Sequence, residues 1–144
     1  MANLIVHTDG GARGNPGSAA IGVVIQTTSG NILHQVSRTI GETTNNIAEY
    51  QAVVEALTFL QENIPNATFS HIDAIKFFLD STLVVNQLNG LFKVKEPMLR
   101  EYLLKVRTLE QGIGKPITYT YVPREKNAHA DRLVNNALDG QRYF

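Results

Sequence analysis

The sequence predicts an α/β fold: a single domain over residues 1–144, with a five-stranded mixed sheet and helices on both faces. Three observations predict it. Three strand-like runs come first, with no helical stretch between them. Each later strand-like run is separated from the one before by a stretch of helical periodicity, as parallel crossovers require. Finally, 144 residues with 43% apolar content can bury roughly two-thirds of the unfolded surface in one core.

NLIVHTD is an apolar run that ends at an acid, Asp9, and reads as a buried strand. AAIGVVIQ and ILHQVSRTI are strand-like, and TTSGN between them is a hairpin signal. In TTNNIAEYQAVVEALTFLQENIP, Tyr50, Val53, Val54, Leu57 and Leu60 recur at helical spacing, TTNN supplies caps, and Pro65 lies beyond the end. IKFFLD is a short strand that again ends in an acid, Asp80. STLVVNQLNG is a short helix with Ser81 as cap and Gly90 past its end. PMLREYLLKVRTLEQG is a longer amphipathic helix. ITYTYV is rich in β-branched and aromatic residues and reads as a strand, and NAHADRLVNNAL closes the fold as a helix. The order predicts an antiparallel meander followed by strands added through helical crossovers.

Composition narrows the function. The chain has no cysteine, which excludes disulfides and thiolate metal sites. No apolar run approaches the roughly 20 residues of a membrane span, and no basic stretch followed by an apolar one opens the chain, so a cytoplasmic protein is expected. Net charge is zero, which argues against attachment to nucleic acid by global charge. Charge is nevertheless uneven. Glu42, Glu49, Glu55 and Glu62 stand without Lys or Arg between Gly41 and Pro65. Lys93, Lys95, Arg100, Lys105 and Arg107 face only Glu96 and Glu101 between Leu91 and Arg107. Two solvated helix faces would give the same pattern.

The acids fall in a pattern. If their strands are parallel neighbours, Asp9 and Asp80 lie at the same end of the sheet, where α/β folds place ligands. Glu49 is expected in the first turn of the long helix, near its packed side. Asp131 is expected early in the last helix, in a similar position. Alone, each acid reads as a turn former or a helix-dipole partner. Together at a core margin they need compensation. With oxygen donors only and no His pair, a hard divalent cation, Mg²⁺ or Mn²⁺, suits them better than zinc. HTDGGARGNPG around Asp9 adds four glycines and a proline within eleven residues. Those glycines are expected to form sharp turns and to leave backbone groups uncovered.

Four separated stretches carry a resemblance: TDGGARGNPG, TTNNIAEY, FFLDS and YVPREKNAHADRLVNNA. In this order, each in its own structural setting, they resemble the type 1 ribonuclease H family. They match its compact members, which lack an N-terminal hybrid-binding extension. The family's tryptophan-containing basic insertion is also missing, and NGLFKVKEPMLREY takes its place. The resemblance implies a ribonuclease H-like domain that hydrolyses the RNA strand of RNA–DNA hybrids endonucleolytically, leaving 5′-phosphate and 3′-hydroxyl ends. It puts the catalytic, metal-binding carboxylates on Asp9, Glu49, Asp80 and Asp131. Two Mg²⁺ about 4 Å apart are implied there, with Mn²⁺ as substitute, one activating the attacking water and one stabilising the leaving oxygen.

By the same resemblance, Gly11, Ala12, Arg13 and Asn15 meet the shallow minor groove and its 2′-hydroxyls, which distinguish RNA from DNA. Thr44 and Asn46 contact the phosphate and sugars of the DNA strand. Asn45 joins this substrate-binding set, although capping alone accounts for it. Lys93, Lys95, Arg124, Lys126 and Arg132 are candidate phosphate neighbours. Larger members carry a His in a long loop before the last acid. Here PREKNA is short, Asn127 occupies a place where some compact members have Glu, and His129 is an auxiliary candidate more simply read as a helix residue. His7, His34 and His71 are read as structural or surface residues. The expected partner is an RNA–DNA hybrid, with no membrane, and the expected state is a monomer. The alternative, a catalytically weak hybrid-binding module of the same fold, would ordinarily have lost an acid, and all four are present.

Overall fold

The computed structural model describes residues 2–67 and 69–142. The meander forms β1 (Asn3–Gly14), β2 (Gly17–Thr27) and β3 (Ile32–Thr43), followed by α1 (Asn45–Asn63). Then come β4 (Ala74–Leu79), α2 (Thr82–Leu88), α3 (Pro97–Ile113), β5 (Ile117–Tyr121) and α4 (Ala128–Arg142). The sheet order is β3-β2-β1-β4-β5. The pairs β1–β2 and β2–β3 are antiparallel, and β1–β4 and β4–β5 are parallel. A mixed five-stranded sheet with helices on both faces is therefore what forms.

Alternation along β2 separates the two layers. Ile21, Val23 and Ile25 belong to the main core with Tyr50, Val53, Leu57 and Leu60 of α1. Ala20, on the opposite face, packs with Val134 and Leu138 of α4. The α1 layer is further covered by α2 and α3, which contribute Val84, Leu88, Leu99 and Val106.

Helix ends follow local chemistry. The Thr44 side chain accepts from the Ile47 N–H at 3.3 Å, Ser81 from Val84 at 3.2 Å, and Glu96 from Met98 and Leu99 at 3.1 and 3.2 Å. Gly114 ends α3 in the left-handed region at φ 68°.

Three boundaries differ from expectation. β1 does not turn after Asp9; it pairs with β2 as far as Gly14↔Gly17, and the chain reverses at Asn15–Pro16. Gly10 and Gly11 are therefore strand residues, not turn residues. β3 continues to Thr43. Because α1 begins only at Asn45, Glu49 stands in its second turn and not its first.

Candidate active site

The parallel ladder between β1 and β4 ends at His7↔Phe78. Beyond that pair β1 keeps its β2 partner but loses its partner on the other edge. In an extended strand alternate residues point their backbone groups to the same edge. Along the open edge the N–H groups of Gly10 and Ala12 meet acceptors from α1. Gly10 donates to Glu49 Oε1 at 3.1 Å and to its neighbour Asp9 Oδ1 at 3.0 Å. Ala12 donates to Asn45 Oδ1 at 2.8 Å.

Gly10 makes this approach possible. A Cβ there would lie 2.2 Å from the Ala48 carbonyl carbon. Any side chain would hold α1 off the strand and Glu49 out of the gap. The result is two buried carboxylates, Asp9 at 4% exposure and Glu49 at 6%. Asp80, just past β4, completes the group: one oxygen from each of Asp9, Glu49 and Asp80 lies within 4.8 Å of the others.

The electrostatics are unfavourable without a cation. Burial, with the Asp80 and Asp131 charges adding to it against a lowering contact from Glu49, pushes Asp9 up to about 7. Burial, then the charge of Asp9, holds Glu49 well above the carboxylate range. Burial also raises Asp80, opposed by its hydrogen bond from Asn127 and by the Arg124 charge. Glu49 Oε2 is buried and has no hydrogen-bond partner. Oxygen donors converging on one point, with a buried, unpartnered carboxyl oxygen of Glu49 among them, fit a hard divalent cation.

Asp131 lies in the first turn of α4 and lines the same cleft. Its surroundings differ. It stands outside the tight group of three, is partly exposed, and pairs with Arg124 at 3.8 Å. Helix α4 reaches the sheet as α1 does, through a glycine: a Cβ at Gly22 would lie 2.2 Å from the Ala130 carbonyl oxygen.

The substrate-binding candidates surround these acids. Gly11, Ala12, Arg13, Asn45 and Asn46 line the cleft, whose volume is about 540 Å³. Asn15, Thr44 and Asn46 line a depression that also includes Glu96 and Met98. Several of these groups already have partners. Thr44, not Asn45, caps the helix. The Asn45 N–H donates to Asn15 Oδ1 at 3.0 Å, so Asn45 fastens the β1–β2 hairpin to α1. Arg13 bonds Asn135 Oδ1 at 3.3 Å and pairs with Asp139 at 2.8 Å. Among the described residues Lys93, Lys95 and His129 do not line the cleft. Both lysines are exposed, either side of the buried Val94, and His129 is half-buried on α4.

Asn127 is 1% exposed. Its Nδ2 donates to the Thr8 carbonyl at 2.9 Å and to Asp80 Oδ2 at 3.3 Å, and its Oδ1 faces His7 Nδ1 at 2.9 Å. Sequence reasoning singles out Asn127 by position but misses His7. Their separation of 120 residues leaves no local signal that would pair them.

A family model described as "Reverse transcriptase-like" matches residues 7–137. Ribonuclease HI of Halobacterium salinarum is 41% identical over 133 residues, covering 92% of this chain and 63% of its own length. The bifunctional protein Rv2228c of Mycobacterium tuberculosis is 35% identical over 144 residues, covering 94% of this chain but 35% of its own length. The chain thus spans less than two-thirds of these curated relatives. Among solved structures, LC11-RNase H1, isolated from compost, is 46% identical with a TM-score of 0.89, covering 98% of this chain and 99% of its own. The same enzyme in complex with an RNA/DNA hybrid is 45% identical with a TM-score of 0.87, covering 96% and 98%. By family model, sequence and fold, the chain belongs to the reverse-transcriptase-like family and, within it, to the type 1 ribonucleases H.

Proposed function

We propose that the protein is an endoribonuclease that hydrolyses the RNA strand of RNA–DNA hybrids, leaving 5′-phosphate and 3′-hydroxyl ends, with Asp9, Glu49, Asp80 and Asp131 holding divalent cations. The observation that carries this reading is the convergence of three carboxylates from β1, α1 and β4, with a buried, unpartnered oxygen on Glu49. The LC11-RNase H1 complex supports the choice of hybrid as substrate. Mg²⁺, two ions per site, is the natural occupant and Mn²⁺ its substitute, since both prefer oxygen donors. Bound there, such ions would activate the attacking water at neutral pH and neutralise charge at the scissile phosphate.

The remaining work falls to the chain. Asp9, Glu49 and Asp80 fix where the cations sit relative to β1. Gly11, Ala12 and Arg13 present backbone beside them, within reach of a minor groove. The Ala12 N–H is held by Asn45, so its carbonyl, which points to the same edge, is the group that accepts from a 2′-hydroxyl. Thr44 and Asn46 at the start of α1 stand where helix geometry favours a phosphate. Recognition of the RNA strand and its cleavage therefore occur along one strand edge. A cytoplasmic monomer in which residues 1–144 form one domain completes the proposal. No helix among the described residues is long and apolar enough to cross a membrane.

The test is a gel with end-labelled hybrid, DNA duplex and RNA duplex, each with Mg²⁺ and with chelator. Cleavage of the RNA strand of the hybrid in Mg²⁺ only is expected. Equal cutting of the DNA duplex would refute recognition through 2′-hydroxyls. Retention of hybrid without cleavage would favour a binding module.

A further inference from the structure

Asn127 occupies the point where β1 and β4 part. Past His7↔Phe78 no backbone bond joins these strands, yet each delivers an acid to the cluster within the next two residues. The Asn127 side chain fills that gap. It bonds the Thr8 carbonyl on the β1 side and Asp80 Oδ2 on the β4 side. Its backbone carbonyl accepts from the Asp131 N–H at 3.1 Å. One residue thereby ties together the three elements that carry Asp9, Asp80 and Asp131.

The amide can serve only one way round. The Thr8 carbonyl and the Asp80 carboxylate are both acceptors, so both require Nδ2, which has two hydrogens and supplies one to each. A flipped amide would set oxygen against oxygen twice. The correct orientation leaves Oδ1 facing His7 Nδ1, which must then be a donor, as in the neutral Nδ1–H tautomer. His7 is itself held in place: its ring stacks on Phe78, with centroids 5.3 Å apart and planes at 25°. Phe78 stands two residues before Asp80.

We propose that His7 is a positioning residue for the metal site: its Nδ1–H fixes the amide of Asn127, which in turn holds the Asp80 carboxylate and keeps β1 and β4 at the spacing the cation requires. This rests on the metal-dependent reading above. Partners behind a metal-ligating carboxylate typically change metal affinity about 10- to 100-fold when removed, and His7 acts through one further bond, at the lower end of that range.

Two substitutions separate its two contacts. His7→Phe keeps the stacking on Phe78 and loses the donor. His7→Asn loses the stacking and keeps a nitrogen donor at the position of Nδ1. Mn²⁺ titration calorimetry without nucleic acid gives the affinity, and melting with chelator confirms that each variant is folded. His7→Phe should raise the Mn²⁺ dissociation constant about tenfold. His7→Asn should recover most of that loss. Asn127→Ala should lose at least as much as His7→Phe, and adding His7→Phe to Asn127→Ala should cause no further loss, because the bond that His7 serves is already gone.

Mn²⁺ affinity unchanged in His7→Phe would overturn the proposal. So would a loss in His7→Asn equal to that in His7→Phe, or an undiminished effect of His7→Phe in the Asn127→Ala background. Should His7→Phe not fold, His7→Asn with wild-type affinity beside a weakened Asn127→Ala supports the proposal, and the reverse sinks it. A wild-type protein that takes up no Mn²⁺ would overturn the metal-dependent reading itself, and is thereby distinguished from failure of the His7 assignment alone.

Discussion

Helices α1 and α4 approach the sheet from opposite faces, and each does so across a glycine. The Ala48 backbone rests on Gly10 and the Ala130 backbone on Gly22. In each helix the next residue is an acid, Glu49 or Asp131. From there the two sides diverge. Glu49 is buried and raised well above its ordinary range, with one oxygen left unpartnered. Asp131 is partly exposed, with Arg124 beside it. Close backbone approach delivers an acid to a sheet, but how deep the cover is decides what the acid can do there. The α1 layer is backed by α2 and α3 and excludes water, whereas among the described residues α4 covers its face alone.

The largest expected effect tests this asymmetry directly. Glu49→Gln should lower kcat/KM on a labelled hybrid in Mg²⁺ by on the order of 10³-fold, the size expected when a preorganised electrostatic contact is removed. Asp131→Asn should cost less, because its carboxylate is partly exposed and lies outside the group of three. Equal losses measured by initial rates would remove the distinction between the two acids.

The glycines come next. Gly10→Ala and Gly22→Ala each place a methyl group 2.2 Å from helix backbone, where neither side can yield, and overpacking of this kind costs about 1–3 kcal/mol or more. Both variants should melt several degrees lower with chelator present. They should part in metal binding. Gly10→Ala lifts Glu49 from the cluster and should lose most of the Mg²⁺-induced rise in Tm, while Gly22→Ala displaces only Asp131 and should keep most of it. An equal loss in both would show that α1 and α4 position the cation jointly.

How much of this is legible in the sequence follows from how local each signal is. Asp9 and Asp80 end apolar runs, and the helical stretches between their strands imply parallel pairing, so their convergence can be read from the chain. The packed side of its helix is legible for Glu49, but its depth is not, since that depends on Gly10, whose lack of a Cβ only matters against Ala48. The glycines of GGARGNPG read as turns because nothing in the sequence says that β2 will stay paired through Gly17. Ser81 reads correctly as a cap, an interaction spanning three residues. Asn45 does not read as the link between hairpin and helix, which spans 30 and 33 residues to its two partners. The bond between His7 and Asn127 lies further still beyond local patterning.

A smaller effect concerns pH. Without metal, folded Asp9 holds its proton up to about 7, whereas in the unfolded chain it would lose it near 3.8. The folded state therefore binds the extra proton between these values. Metal-free stability, read as Tm, should rise as pH falls from about 7 towards 4. Saturating Mg²⁺, which favours the ionised carboxylates, should flatten the rise. Asp9→Asn and Glu49→Gln should each raise the metal-free Tm at pH 8, and Asp131→Asn should do so far less. Metal-free melting that is level between pH 8 and 5 would contradict the burial of uncompensated charge on the α1 side.

The smallest effect isolates what Arg124 contributes to the contrast. Its ion pair with Asp131 spans 3.8 Å and its side chain is 78% exposed, a setting in which a pair is worth about 0–1 kcal/mol. The Arg124 charge also lowers Asp80, which joins Glu49 in the cluster and feels the Asp131 charge as well. Arg124→Ala takes that cation away and leaves Asp80 and Asp131 to be compensated by metal alone. The metal-free protein at pH 8 and low salt should melt about 1–2 °C lower, a difference that should fade near 0.5 M salt as exposed charges are screened. The Mg²⁺-induced rise in Tm should grow by a similar amount, because the bound cation now relieves repulsion that Arg124 had relieved. Glu49 should not register the change: Glu49→Gln should raise the metal-free Tm equally in the wild-type and Arg124→Ala backgrounds. A higher metal-free Tm in Arg124→Ala, or a smaller response to Mg²⁺, would show that Arg124 is not the counter-ion that sets the Asp131 side apart.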